Sequence, residues 1–147
     1  MLDAFANPSL QPMKTKLILE LFDVKTIAAA AEAEALKNSW AVSIAIVDDG
    51  GHLLWLQRLD GAAPISAHIA PAKAHTAALG RRDSKVYEDI VNGGRTSFLS
   101  APDIKGLLEG GVAVMKDGQC LGAVGVSGVK SGEDAQIARA GISALGL

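Results

Sequence analysis

The stretch Gly122-Ala123-Val124-Gly125-Val126-Ser127-Gly128 decides how this chain is read. It sits between an apolar run and a final segment of helical periodicity. Its composition suits a buried strand, yet three of its seven residues are glycine. Glycine weakens a strand and marks a bulge or a close approach by another backbone or a ligand. The reading is therefore a core strand thinned along one side, with protein or a small molecule lying against it.

Working outward, Val112 to Met115 precedes it, joined through Lys116-Asp117-Gly118, so the two runs form a hairpin from Val112 to Val126. A second hairpin is expected earlier, with Ala41 to Val47 and Leu53 to Leu59 flanking Asp48-Asp49-Gly50-Gly51. Neither of those strands alternates cleanly, which predicts cover on both faces. Helical spacing links Leu17, Leu21, Val24, Ala28, Ala31 and Ala35 from about Thr15, with Asn38 as the stop. A second helix is expected from about Pro64 to Leu79, kinked at Pro71 or starting just before it. A short helix over Ser84 to Val91 and a last one from Gly132 to Leu145 complete the pattern. Residues 81 to 111 are the least readable part. The domain reading is an irregular arm over 1–14 and one domain over 15–147.

Composition bounds the function. The 147 residues suit a single core, with 49% apolar and 20% charged residues. A net charge of −2 without a basic run beyond Arg81-Arg82 argues against nucleic acid. One cysteine, Cys120, excludes an internal disulfide and a cysteine-based zinc site. Met1 to Pro12 lacks the basic and apolar regions of a signal peptide, and no apolar run is long enough to span a membrane. A cytoplasmic protein is the expectation, with no metal centre. Abundant Ala and Gly suit close packing of backbones, within the chain or between copies.

Four ordered blocks carry a family resemblance. The first is Ala45-Ile46-Val47-Asp48 with Gly50-Gly51-His52-Leu53-Leu54, and the second is Arg58-Leu59-Asp60-Gly61-Ala62. Ser66, Ile69-Ala70, Lys73-Ala74 and Thr76-Ala77 form the third. The fourth runs from Gly110-Gly111-Val112 through Asp117-Gly118 and Gly122–Gly128 to Glu133-Asp134 and Ile137-Ala138. Together they resemble the GlcG/HbpS family, also called haem-degrading, which includes the C-terminal domain of PduO-type proteins. The resemblance implies an α/β (α+β) fold of profilin-like type, an antiparallel five-stranded sheet flanked by helices. It thereby places one more strand in 81–111. It also implies self-association to dimers or larger oligomers, and haem as a ligand of some members. Two features depart from the family pattern. Ala113 stands where a proline is usual, and the three histidines, His52, His68 and His75, all lie outside the N-terminal region. A haem mode that needs an N-terminal histidine is thus unavailable.

Candidate site residues follow from chemistry. Lys73 lies among alanines, so burial would make it a base or an anion partner, while its other reading is a brace paired with Asp48 or Asp60. His68 and His75 are seven apart on one helix face, about 10 Å along the axis, too far to grip one metal jointly. Each is either a surface residue or a haem ligand or acid/base group. Arg58 offers a planar fork to a carboxylate or pairs with Asp60. Gly125, Ser127 and Gly128 could admit an anion to free backbone N–H groups before the last helix, or the glycines could admit only the second helix or a neighbouring subunit. The resemblance adds Ser66, from the third block, as a ligand-binding candidate. Glu133-Asp134 suits the positive end of that helix. No nucleophile elbow, phosphate loop or dinucleotide motif occurs.

Besides a purely structural oligomer, two functions remain open. One is an oligomeric small-molecule-binding or accessory protein that holds haem or another anionic ligand between the Lys73 helix and the Gly125–Gly128 turn. The other is a cofactor-free isomerase, lyase or hydrolase on a small carbonyl or carboxylate metabolite, with Lys73 or His75 as base.

Overall fold

In the computed structural model, residues 9–147 are described. The first eight residues of the expected N-terminal arm lie outside them. The described residues form four helices and an antiparallel sheet of four strands. In chain order these are α1 (Leu21–Lys37), β1 (Ser43–Asp48), β2 (Leu53–Arg58), α2 (Ser66–Gly80), α3 (Lys85–Asn92), β3 (Gly111–Lys116), β4 (Gln119–Ser127) and α4 (Ser131–Ser143). The strands are ordered β2-β1-β4-β3. Both expected hairpins form, and the strand thinned by glycine lies inside the sheet.

The register explains the two faces. Ile44 stands opposite Val126 and Ile46 opposite Val124, whereas Ala45 stands opposite Gly125 and Val47 opposite Ala123. Side chains alternate along a strand, so the large residues share one face and the small ones the other. On the large face, α1 buries Val24, Ile27 and Ala31, and α4 buries Ile137, Ala138 and Ile142. On the small face lies α2 alone, packing Ala70, Ala74, Ala77 and Ala78 onto Ala45, Val47 and Ala123.

Helix α2 can come this close because glycine has no side chain. A Cβ on Gly125 would collide with the Ala70 carbonyl oxygen and sit 2.6 Å from the Ala74 nitrogen. A Cβ on Gly111 would strike the Lys73 carbonyl. The approach that the sequence implied at 122–128 is thus made, at Gly125, by the chain's own helix.

Several expectations change. Helix α1 starts at Leu21 rather than Thr15, because the Asp23 carboxylate accepts the Glu20 N–H at 2.8 Å and caps the helix there. The preceding residues instead cross the second hairpin, with the Leu17 N–H donating to Gln119 Oε1 at 2.9 Å. At the other end Asn38 is not left-handed; its side chain donates to the Glu34 carbonyl, and Ser39 takes the left-handed conformation. Helix α2 continues through Pro71. The absent N–H there leaves the Ala67 carbonyl without its usual helical donor.

Residues 81–111 contain no strand before Gly111, so the described sheet has four strands and not five. They form α3 and a 3₁₀ turn over Thr96–Ser100. The Tyr87 ring packs at 5.3 Å from Phe98, which holds the turn against α3. Finally, β2 is not covered on both faces: it is the sheet's edge, and Leu53, Leu54 and Leu56 are all exposed.

Two glycine substitutions test this packing. Gly125→Val should lower unfolding stability by about 3 kcal/mol or more, the upper range for overpacking, because helix backbone cannot rotate away. Gly132→Ala meets nothing within 4 Å and should stabilise by about 0.5–1 kcal/mol through the helix preference of alanine. Urea denaturation midpoints at unchanged slope would measure both.

Candidate functional site

Lys73 is 3% exposed, and α2 carries it into the space between the end of β4 and the start of α4. Its ammonium donates to the Val126 carbonyl and to Asp134 Oδ2, each at 2.9 Å. Neither Asp48 nor Asp60 is its partner. Asp134 is itself 2% exposed and accepts the Val129 N–H on its other oxygen at 3.2 Å. Burial holds the Asp134 carboxyl above the usual carboxylate range, against the opposing pull of Lys73. Gly110 leaves room for the ammonium, since a Cβ there would stand 2.7 Å from Nζ. Lys73 is therefore paired within its own chain. This arrangement ties three elements together around a buried amine.

Three other sequence candidates meet at one end of the α2 face. Ser43 stands opposite both Arg58 and Ser127 in the sheet. Its hydroxyl lies 2.8 Å from Ser66 Oγ, which also donates to the Ala63 carbonyl. Ser66 and Ser127 are buried, while Arg58 is exposed at the edge. Gly128 approaches the Ala41 carbonyl with φ of +145°, so it serves the turn into α4. Glu133 accepts the Lys130 N–H and so caps that helix.

His75 has a different setting. It borders a cleft of about 380 Å³ between α2, the β1–β2 turn and the loop before β3. Val47, Leu53, Pro71 and Ala72 give apolar walls, and Asp103 and Lys105 stand at the loop side. The ring Nδ1 lies 3.0 Å from the Gly51 carbonyl oxygen. A carbonyl only accepts, so Nδ1 carries the proton of this bond and the neutral ring keeps its lone pair on Nε2. That is the form in which a histidine can ligate a metal or accept a proton. Gly51 is required for this approach: its φ is +80°, and a Cβ would lie 2.5 Å from Nδ1. His68, two turns earlier on α2, is exposed and takes no part in the cleft.

Sequence reasoning did not find Lys105 or Asp103. Both lie in the unreadable segment, and only the packing of that loop on α2 brings them to His75. The one local sign was Gly106, where a Cβ would lie 2.6 Å from the Lys73 nitrogen. Among the described residues, no group of three or more His, Cys, Asp or Glu side chains gathers to hold a metal. No helix there is long and apolar enough to cross a membrane.

Comparison with known proteins places these features. The family model described as "Haem degrading protein HbpS-like" matches residues 19–143. Protein GlcG of Escherichia coli strain K12 is 59% identical over 115 residues, covering 78% of this chain and 85% of GlcG. The crystal structure of Klebsiella pneumoniae ORFY is 28% identical with a TM-score of 0.84, covering 94% of this chain and 98% of that one. A crystal structure titled as a PduOC:Heme complex is 29% identical with a TM-score of 0.78, covering 87% of this chain and 95% of that one.

The ion pair yields a test of its own. Lys73→Met should cost about 3–5 kcal/mol, because it strands a buried carboxylate. Adding Asp134→Leu should recover much of that loss, since apolar replacement of a whole buried pair is often neutral. The pH dependence follows from the raised Asp134 pKa. The folded state binds this proton more tightly than the unfolded chain, so the group's contribution is largest below the ordinary carboxylate range and falls as pH rises through its folded pKa. Subtracting the Asp134→Asn stability curve from the wild-type curve should expose that fall above about pH 4.

Proposed function

The chain belongs to the HbpS-like family, and from that premise we propose that it is a small-molecule-binding protein whose ligand site is the His75 cleft, with haem as the ligand. The observation that carries this reading is the hydrogen bond from Nδ1 to Gly51, which leaves Nε2 available beside apolar walls. The residues present fit haem in three respects. His75 supplies an imidazole donor of the kind that holds haem iron. Val47, Leu53 and Pro71 offer an apolar surface to a flat macrocycle. Lys105, exposed and without an acidic partner in hydrogen-bond reach among the described residues, can meet a propionate carboxylate. Bound haem would supply redox and oxygen chemistry; the chain's own part is to orient the donor and shield one face. The haem complex of a family member with the same fold supports this choice of ligand.

The cofactor-free enzyme remains the second reading, on the same observation. An Nε2 lone pair beside a cation could remove a proton from a small carboxylate bound at Lys105. Lys73 has no such role in either reading, because its buried ammonium is held by the Val126 carbonyl and Asp134.

Self-association is part of the proposal. Strand β2 leaves its outer hydrogen-bonding edge open, and Leu53, Leu54 and Leu56 are exposed along it, with Ile65 nearby at 63% exposure. An antiparallel edge can pair with its own copy about a two-fold axis, which would cover this apolar row.

Haem titration followed by absorbance should show a shifted Soret band with wild-type protein. His75→Ala should weaken binding at least tenfold, Lys105→Ala severalfold, and His68→Ala not at all. An unshifted band, or equal binding by His75→Ala, would remove haem from this cleft. Light scattering during size exclusion should show a dimer or larger species that Leu54→Lys/Leu56→Lys dissociates; a wild-type monomer would refute the assembly.

A further inference from the structure

We infer that Asp48 is a positioning residue for His75, acting through the Gly51 carbonyl to fix which ring nitrogen carries the proton. This inference rests on the proposed His75 site, but the property it concerns belongs to the ligand-free protein.

The bonds across the β1–β2 turn run through Asp48. Asp48 Oδ1 accepts the Gly50 N–H and the His52 N–H, each at 2.9 Å. Its main-chain carbonyl accepts the Gly51 N–H at 3.0 Å, and its own N–H donates to the His52 carbonyl at 2.9 Å. Both main-chain bonds across the turn and both side-chain bonds to its amides thus begin or end on this residue, while Asp49 separately accepts from the Lys16 ammonium at 2.7 Å. The Gly51 carbonyl shares its peptide unit with the His52 N–H, so the bond from that N–H to Asp48 Oδ1 helps fix the plane of the oxygen that meets His75. The left-handed φ of Gly51 is accessible to a free glycine but not compulsory.

An aspartate that accepts N–H groups two residues on and beyond is the device that freezes such a turn. The frozen turn keeps the Gly51 oxygen 3.0 Å from Nδ1. Without Oδ1, the Gly50 and His52 amides lose their acceptor, and only the two main-chain bonds at Asp48 remain to restrain the Gly51–His52 peptide, which gains freedom to tilt. His75 would then lose the acceptor that holds its proton on Nδ1. The proton would distribute between both nitrogens, and Nε2 would be a donor part of the time. An Nε2–H can neither ligate a metal nor accept a proton.

The contact between Asp48 and the His52 ring, at 3.1 Å, is not part of the device. The His52 side chain is 80% exposed, and the turn amides are held without it.

The chain has only three histidines, so nitrogen-15 NMR can follow the ring nitrogens of each in the ligand-free protein. Wild type should show His75 protonated on Nδ1 alone. Asp48→Ala should give a mixture of tautomers at His75 and lower haem affinity about tenfold or more, the usual effect of losing an outer partner of a ligating histidine. Asp48→Asn keeps the acceptor oxygen and should restore both. His52→Ala should change neither. Should Asp48→Ala not fold, Asp48→Ser retains a weaker turn acceptor and should give an intermediate mixture. An Nδ1–H form that persists undiminished in folded Asp48→Ala, or in Asp48→Ser where alanine does not fold, overturns the inference. If the tautomers shift as expected while wild type shows no haem band, the positioning role stands and the haem reading falls.

Discussion

Helix α2 lies on bare main chain. Gly125 in β4, Gly111 at the start of β3 and Gly106 in the preceding loop each offer α2 a surface without a Cβ, and an added methyl at any of them would enter its backbone. Alanines on the helix and in the sheet complete the fit. The attraction is dispersion over a large, close contact rather than interlocking of big side chains. The opposite face of the sheet is built differently, with Ile and Val meeting two helices. The layer order thus follows from the size of alternate residues in β1 and β4.

That close contact dictates where the polar residues of α2 go. Lys73 cannot lie on the sheet, so its chain runs beside Gly110 to reach Val126 and Asp134. A buried pair of this kind contributes little net stability compared with an apolar pair, but it tolerates no single loss. It also satisfies the Val129 amide before α4 and one carbonyl at the end of β4. The pair therefore sets where α4 begins relative to α2. The lysine read from its row of alanines as a candidate base is held in that pair.

Half a turn of helix further on, the same element presents His75 outward. The β1–β2 turn meets it from one side and the loop carrying Lys105 from the other. These segments are far apart in the chain, and both are held by glycines at their nearest approach, Gly51 to His75 and Gly106 to the α2 backbone. The tight core and the open cleft are two sides of one helix. Pro71, which costs α2 a hydrogen bond, forms part of the cleft wall.

The sequence by itself determined both hairpins, the helices and the fact of a close approach at the glycine-thinned strand. Those features depend on residues near in the chain: Asp117-Gly118 in a turn, the spacing of Val24, Ala28 and Ala31, the glycines of β4. Family blocks added the overall architecture and singled out α2. Tertiary structure alone decided what fills the approach, which acid pairs with Lys73, and which histidine borders a cleft. It also showed that 81–111 adds a helix and a turn where a fifth strand was expected, since Tyr87 and Phe98 pack on each other and not on the sheet edge. The reason is physical. Turn type and periodicity are set by neighbours, whereas Asp134 lies 61 residues from Lys73 and Gly51 lies 24 from His75. Nothing local in the chain encodes such distances; only the burial of one helix against distant backbone does.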